Sequence, residues 1–162
     1  MLFFRRGTIL IALLMGSMVQ PATVHAELRW GDLNAERTVI TADWLRLKLD
    51  VLGLRLSYPA YRVSLEMGDE PVILFTFVAS GGMAKHLTEE TSREQAEEAI
   101  AYHARGIRDQ IEELIEREFP ALSATFDAKR DIRGLFMGPG KEWSDPPRLI
   151  GEWRDDAYAW SP

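Results

Sequence analysis

The stretch SREQAEEAIAYHARGIRDQIEELIEREF, Ser92 to Phe119, constrains this chain more than any other, because it dictates one long amphipathic helix that the remainder must cover. Its apolar stripe runs Ala96, Ile100, His103, Ile107, Ile111 and Leu114 at spacings of three and four, with Ile115 beside the last. Ser92 and Gln95 form a capping box, in which the hydroxyl accepts from the Gln95 amide and the Gln95 side chain reaches back. Glu94, Glu97 and Glu98 suit the positive end of the helix dipole, and Pro120 ends the helix.

The residues on either side read as strands. Tyr61, Val63, Leu65 and Met67 alternate with polar residues up to the turn GDEP, and a β-rich run from Val72 to Val78 follows, so this is a hairpin. The second run is apolar at nearly every position, which predicts an interior strand covered on both faces for part of its length. Upstream, WLRLKLDVLGLRLSY alternates at Leu45, Leu47, Leu49 and Val51, then again in the opposite phase at Leu52, Leu54, Leu56 and Tyr58. Period two with one slip predicts a strand bulged near Gly53. A helix on Leu45, Leu49, Leu52 and Leu56 is the rival, but it strands Leu47, Val51 and Leu54 off its stripe.

SGGMAKHLTEET reads as a loop, ALSATFDAKRDIRGLFMGPG as two short strands around the DAKR turn, and PPRLIGEWRDDAYAW as one or two more. The Pro and Gly of GPGKEWSDPP mark a surface loop. The predicted class is α+β: an antiparallel sheet of about five to seven strands packed around one long helix.

The first 26 residues carry a different pattern. Arg5 and Arg6 precede an apolar run from Thr8 to Val19, and PATVHA places Val24 and Ala26 at a small-residue cleavage site. This reads as a signal peptide cleaved after Ala26, leaving residues 27–162 as a single domain that is periplasmic or secreted. Pro21 cuts the apolar run short of the roughly 20 residues a spanning helix needs, and no later segment is long and apolar enough. The chain has no cysteine, so a disulfide framework, a thiol nucleophile and thiolate metal sites are excluded. Removing Arg5 and Arg6 from 19 basic residues, against 25 acidic ones, leaves a mature charge of about −8. Such a balance opposes nonspecific nucleic-acid binding.

Candidate sites are few. His103 falls within the helix stripe and reads as a packing residue; as a functional group it would be a general base. Gly106 costs roughly 1 kcal/mol in a helix interior, which predicts close approach of a strand or ring. Tyr102, His103 and Gly106 would then line a small cleft. His86 lacks the spacing of a metal motif with His103, and SGGMAK lacks the ending of a phosphate loop, so neither a metal nor a cofactor is expected. The five tryptophans are the least ordinary feature. Trp143, Trp153 and Trp160 fall near the C-terminus with Tyr158, among Arg154, Asp155 and Asp156, and resemble a recognition surface in composition.

The expected function is a non-enzymatic exported module that binds an envelope protein or a small ligand. Its contacts would be Trp143, Trp153, Tyr158, Trp160, His86 and Tyr102, with the loop from Met83 to Leu87. The alternative is a small periplasmic hydrolase or isomerase that pairs His103 with a carboxylate such as Glu66 or Asp69. Oligomeric state is open, since an edge strand can pair with a second copy.

Overall fold

The structure, a computed structural model, describes residues 28–56, 62–140 and 145–161. The segment read as a signal peptide and the candidate Trp143 lie outside these residues. In chain order come helix α1 (Val39–Arg55), strands β1 (Arg62–Met67) and β2 (Pro71–Val78), and helices α2 (Gly81–Lys85), α3 (Arg93–Glu118), α4 (Pro120–Ser123) and α5 (Ala128–Asp131). Strands β3 (Ile132–Gly138), β4 (Arg148–Arg154) and β5 (Ala157–Trp160) follow. A five-stranded sheet and helices make this an α+β protein. No helix among the described residues is long and apolar enough to cross a membrane.

The sheet order is β1-β2-β3-β4-β5, with three antiparallel junctions and one parallel pair, β2 with β3. The sheet is therefore mixed, not wholly antiparallel, because the chain leaves β2 through α2 and α3 and returns beside it in the same direction. Val63 and Leu65, Ile73, Phe75 and Phe77, and Ile132 and Phe136 are buried together on the face that the helices cover. The alternate positions Val72, Leu74, Thr76 and Val78 are only half-buried, so β2 is fully covered on one face instead of two.

Helix α3 forms where the caps and periodicity demand it. The Gln95 amide donates to Ser92 Oγ at 3.3 Å, and the Ser92 hydroxyl donates to Gln95 Oε1 at 3.0 Å. Ala96, Ile100, Ala104, Ile107, Ile111, Leu114 and Ile115 are buried, and each large one contributes about 1.5–3 kcal/mol by leaving water. His103 is exposed, contrary to its expected place in the stripe; Ala104 takes the inward position and His103 sits one residue around the helix. Gly106 faces open space, with nothing within 4 Å of where a Cβ would stand, so no close approach compensates for it.

Residues 45–55 are helical, which corrects the strand expected there. Helix α1, packed on β1, buries Ala42, Leu45, Leu49 and Gly53 while Ile40, Trp44, Leu47, Val51 and Leu54 point outward. Two apolar stripes on opposite sides of one helix interleave in sequence, and their sum mimics a period of two. The residues that argued against the helix are its second stripe. Two short helices, α4 and α5, also stand where a strand was expected: Asp127 caps α5 by accepting from the Lys129 amide at 3.0 Å, so DAKR is a helical turn before a single strand, β3. Likewise the expected loop at 80–91 holds α2 and a π turn over His86–Glu90.

Candidate functional site

The π turn carries α2 across the sheet face next to α3, and the two elements leave a cavity of about 180 Å³ between them. Phe77 on β2 and Phe136 on β3 line it from the sheet, Met83 and Leu87 from the α2 side, and Ile100 from α3. The polar groups on its lining are His86, Thr91 and His103. Phe77 and Phe136 stack at a tilt, with centroids 5.5 Å apart, so the sheet side is wholly aromatic. Two histidines 17 positions apart thus border one apolar space.

His86 is held from both sides. Its Nδ1 lies 3.4 Å from Glu90 Oε2, one helical turn on, and its Nε2 lies 3.1 Å from Thr91 Oγ1. The tautomer consistent with both contacts donates from Nδ1 to the carboxylate and accepts at Nε2 from the hydroxyl. Lys85 adds a 3.6 Å contact to Glu90 Oε1. Beside His103 stands the Tyr102 ring, edge-on at 5.7 Å. Tyr102, His103 and Gly106 do line one groove, of about 440 Å³, with Leu56 opposite; it is broader and more open than the apolar cavity.

Glu66 and Asp69 are not brought to His103. Glu66 pairs with Val72 and hydrogen-bonds Ser64, and Asp69 lies in the hairpin turn, while the cavity meets β2 at Phe77. Five residues of strand separate Val72 from Phe77, a distance of about 16 Å. Among the described residues no group of three or more His, Asp or Glu side chains is arranged to hold a metal.

The C-terminal aromatics divide between core and rim. Trp153 is fully buried, tilted against Phe75 at 5.8 Å, and so is a core residue with no surface to offer a partner. Tyr158 is half-buried, edge-on to Phe136 at 5.4 Å and to Trp160 at 5.2 Å. Its hydroxyl lies over Gly151, where a Cβ would come within 2.2 Å of Oη, so only glycine admits the ring there. Burial first, and the charge of Glu97 second, push the Tyr158 hydroxyl well above its ordinary pKa. The indole nitrogens of Trp153 and Trp160 and the Tyr158 hydroxyl are buried without hydrogen-bond partners among the described residues. Trp160 reaches a shallow cleft of about 260 Å³ with Leu87, Thr91 and Arg93, and Arg93 lies 6.0 Å from its ring. This cleft shares Leu87 and Thr91 with the apolar cavity, so the structure joins the loop and the C-terminal aromatics that the sequence offered separately.

Thr91, Phe77 and Phe136 escaped the sequence reading. Thr91 stood in a presumed loop, and the two phenylalanines looked like ordinary strand residues. A helical reading of residues 81–90 would have set His86 and Glu90 four apart on one face, the one available signal. The chain matches no protein-family model, no curated protein and no solved structure.

Proposed function

We propose that the protein is an exported, non-enzymatic binding module that takes a small apolar ligand in the cavity between the π turn and α3. The observation that carries this reading is the composition of that cavity: an aromatic and aliphatic lining with His86, Thr91 and His103 as its polar groups. Ligand sites commonly pair an apolar body with a few convergent polar groups. A cavity of roughly 150 Å³ takes benzene. A space of about 180 Å³ therefore suits a single ring or short branched chain with one polar substituent, and affinity for so small a body falls in the micromolar to millimolar range.

Chemical-shift mapping with toluene, benzyl alcohol and benzoate tests it. Shifts should centre on Phe77, Ile100, His103 and Phe136, and Ala99→Phe, at an exposed position bordering the cavity, should abolish them without unfolding. Absence of saturable shifts, or shifts centred elsewhere, would remove the proposal.

A second reading, a small hydrolase, is favoured by the series Glu90, His86, Thr91. That order of carboxylate, imidazole and hydroxyl is the arrangement that activates an oxygen nucleophile, here at the lip of the cavity. It places the base at His86 instead of His103. Turnover of short p-nitrophenyl esters that is lost in both His86→Ala and Thr91→Val but kept in His103→Ala would establish it; no turnover leaves the binding module.

A further inference from the structure

Helix α1 presents a second apolar stripe to solvent. Ile40 is 85% exposed, Trp44 50%, Leu47 51%, Val51 38% and Leu54 76%. Their spacings are four, three, four and three, which is the 3.5-residue repeat of a coiled-coil seam. In heptad terms Trp44 and Val51 are a positions, and Ile40, Leu47 and Leu54 are d positions. The residues that α1 buries in its own domain, Ala42, Leu45, Leu49 and Gly53, are all b, c or f positions, on the far side of the seam. The helix thus has one face for its own core and an opposite face patterned for another helix. A stripe of large apolar residues left to water on this scale marks an interaction site.

The flanking charges identify the partner. The g positions are Asp43 and Asp50, and the e positions include Lys48 and Arg55. In a parallel pair of identical helices, each g residue faces the e residue five positions on in the other copy. Asp43 then meets Lys48 and Asp50 meets Arg55, opposite charges at both steps and twice over by symmetry. In an antiparallel pair g faces g and e faces e, which sets Asp against Asp and Lys or Arg against Lys or Arg. Asp50 and Arg55 are exposed, and Lys48 retains part of its exposure beside its intrachain partner Glu118.

We infer that the protein self-associates as a two-fold dimer through parallel pairing of α1, along the seam from Ile40 to Leu54. A seam of four turns is a modest interface, so the dimer should form in the micromolar range.

The full-length chain, produced with its own N-terminal segment, is tested by sedimentation equilibrium. A monomer–dimer equilibrium is expected, and Leu47→Glu with Val51→Glu should raise its dissociation constant by about 100-fold or more, each buried aliphatic contact being worth at least tenfold. Both sites are exposed, so the melting temperature of the monomer should hold. Orientation is read on a background that contains no cysteine. Under mild oxidation Leu54→Cys should give a disulfide-linked dimer, because parallel pairing brings position 54 against itself, whereas Arg46→Cys, off the seam, should not. Antiparallel pairing would separate the two copies of position 54 by about 21 Å and give no link. A monomer at all concentrations up to several hundred micromolar overturns the inference, whether the stripe is then covered by the N-terminal segment or bound to lipid vesicles. A dimer that survives the double substitution, or links at position 46 and not 54, overturns it equally.

Discussion

Lys48 Nζ on α1 lies 2.6 Å from Glu118 Oε2 in the last turn of α3, so a charge pair joins the two long helices at the end of one of them. A carboxylate there opposes the helix dipole. Lys48 offsets that, and Arg117 Nη2, 3.2 Å from Glu118 Oε1, adds to it.

The same pair makes stability depend on acid. The hydrogen bond from Lys48, and then that from Arg117, hold Glu118 below the usual glutamate range in the folded state. A depressed folded pKa means stability that is complete above the unfolded value, near 4.3, and is lost as pH falls through the folded value. Urea unfolding should show Glu118→Gln converging on the parent protein below about pH 4 and falling behind it at neutral pH. Parallel curves at every pH would refute the coupling.

Gly106 offers a gain. Its φ is not in the left-handed region and a Cβ meets nothing within 4 Å, so glycine here carries its helix cost without return. Gly106→Ala should stabilise the protein by about 0.5–1 kcal/mol, read as a higher urea midpoint with unchanged slope. A loss would mean that the groove beside Tyr102 and His103 is narrower in solution.

Tyr158 keeps its proton. Its pKa is raised in the fold, so its contribution is complete below the unfolded value of about 10 and is lost as pH rises toward the folded one. Absorbance titration at 295 nm should show a late tyrosinate step that Tyr158→Phe deletes. The hydroxyl is buried without a partner, so the same substitution should leave stability unchanged or raise it by up to about 1 kcal/mol. A clear loss would reveal a partner for Oη.

The β4–β5 turn separates two adjacent aspartates by role. Asp155 and Asp156 both have positive φ, 52° and 62°, as a two-residue hairpin of this hand requires. Asp156 also accepts from Arg108 on α3 and sits 3.5 Å from Lys129 Nζ, while Asp155 has no ion pair among the described residues. Asp155→Gly should therefore stabilise by about 0.5–1 kcal/mol, since glycine adopts this backbone freely. Asp156→Gly relieves the same backbone but removes the tie to α3, for a net loss of about 1 kcal/mol. Thermal melts that order the two variants the other way would show that the tie contributes nothing.

The helix α3 and the β1–β2 hairpin were legible in sequence because each has one buried face, and one face gives one period. Helix α1 was not legible for the opposite reason: Leu45 and Leu49 face inward while Leu47 and Val51 face outward, and period-two alternation is what two opposed stripes produce. His103 was misplaced by a single position because the inward residue, Ala104, is too small to register in an apolar pattern. The cavity was half legible. His86 and His103 were singled out, but Phe77, Phe136 and Thr91 join them through the crossover between β2 and β3, and no local pattern encodes that contact.

That crossover has a consequence in time. Strand β2 ends at Val78 and its parallel neighbour begins at Ile132, whereas every other junction of the sheet joins strands linked by a short connection. A chain that emerges N-terminus first can close its hairpin early, yet the inner edge of β2 must wait, unpaired, while the whole of α3 is made and threaded past. Pairing across so long an interval is the slow step of a fold like this one, and the interval is when an open edge is most prone to take the wrong partner.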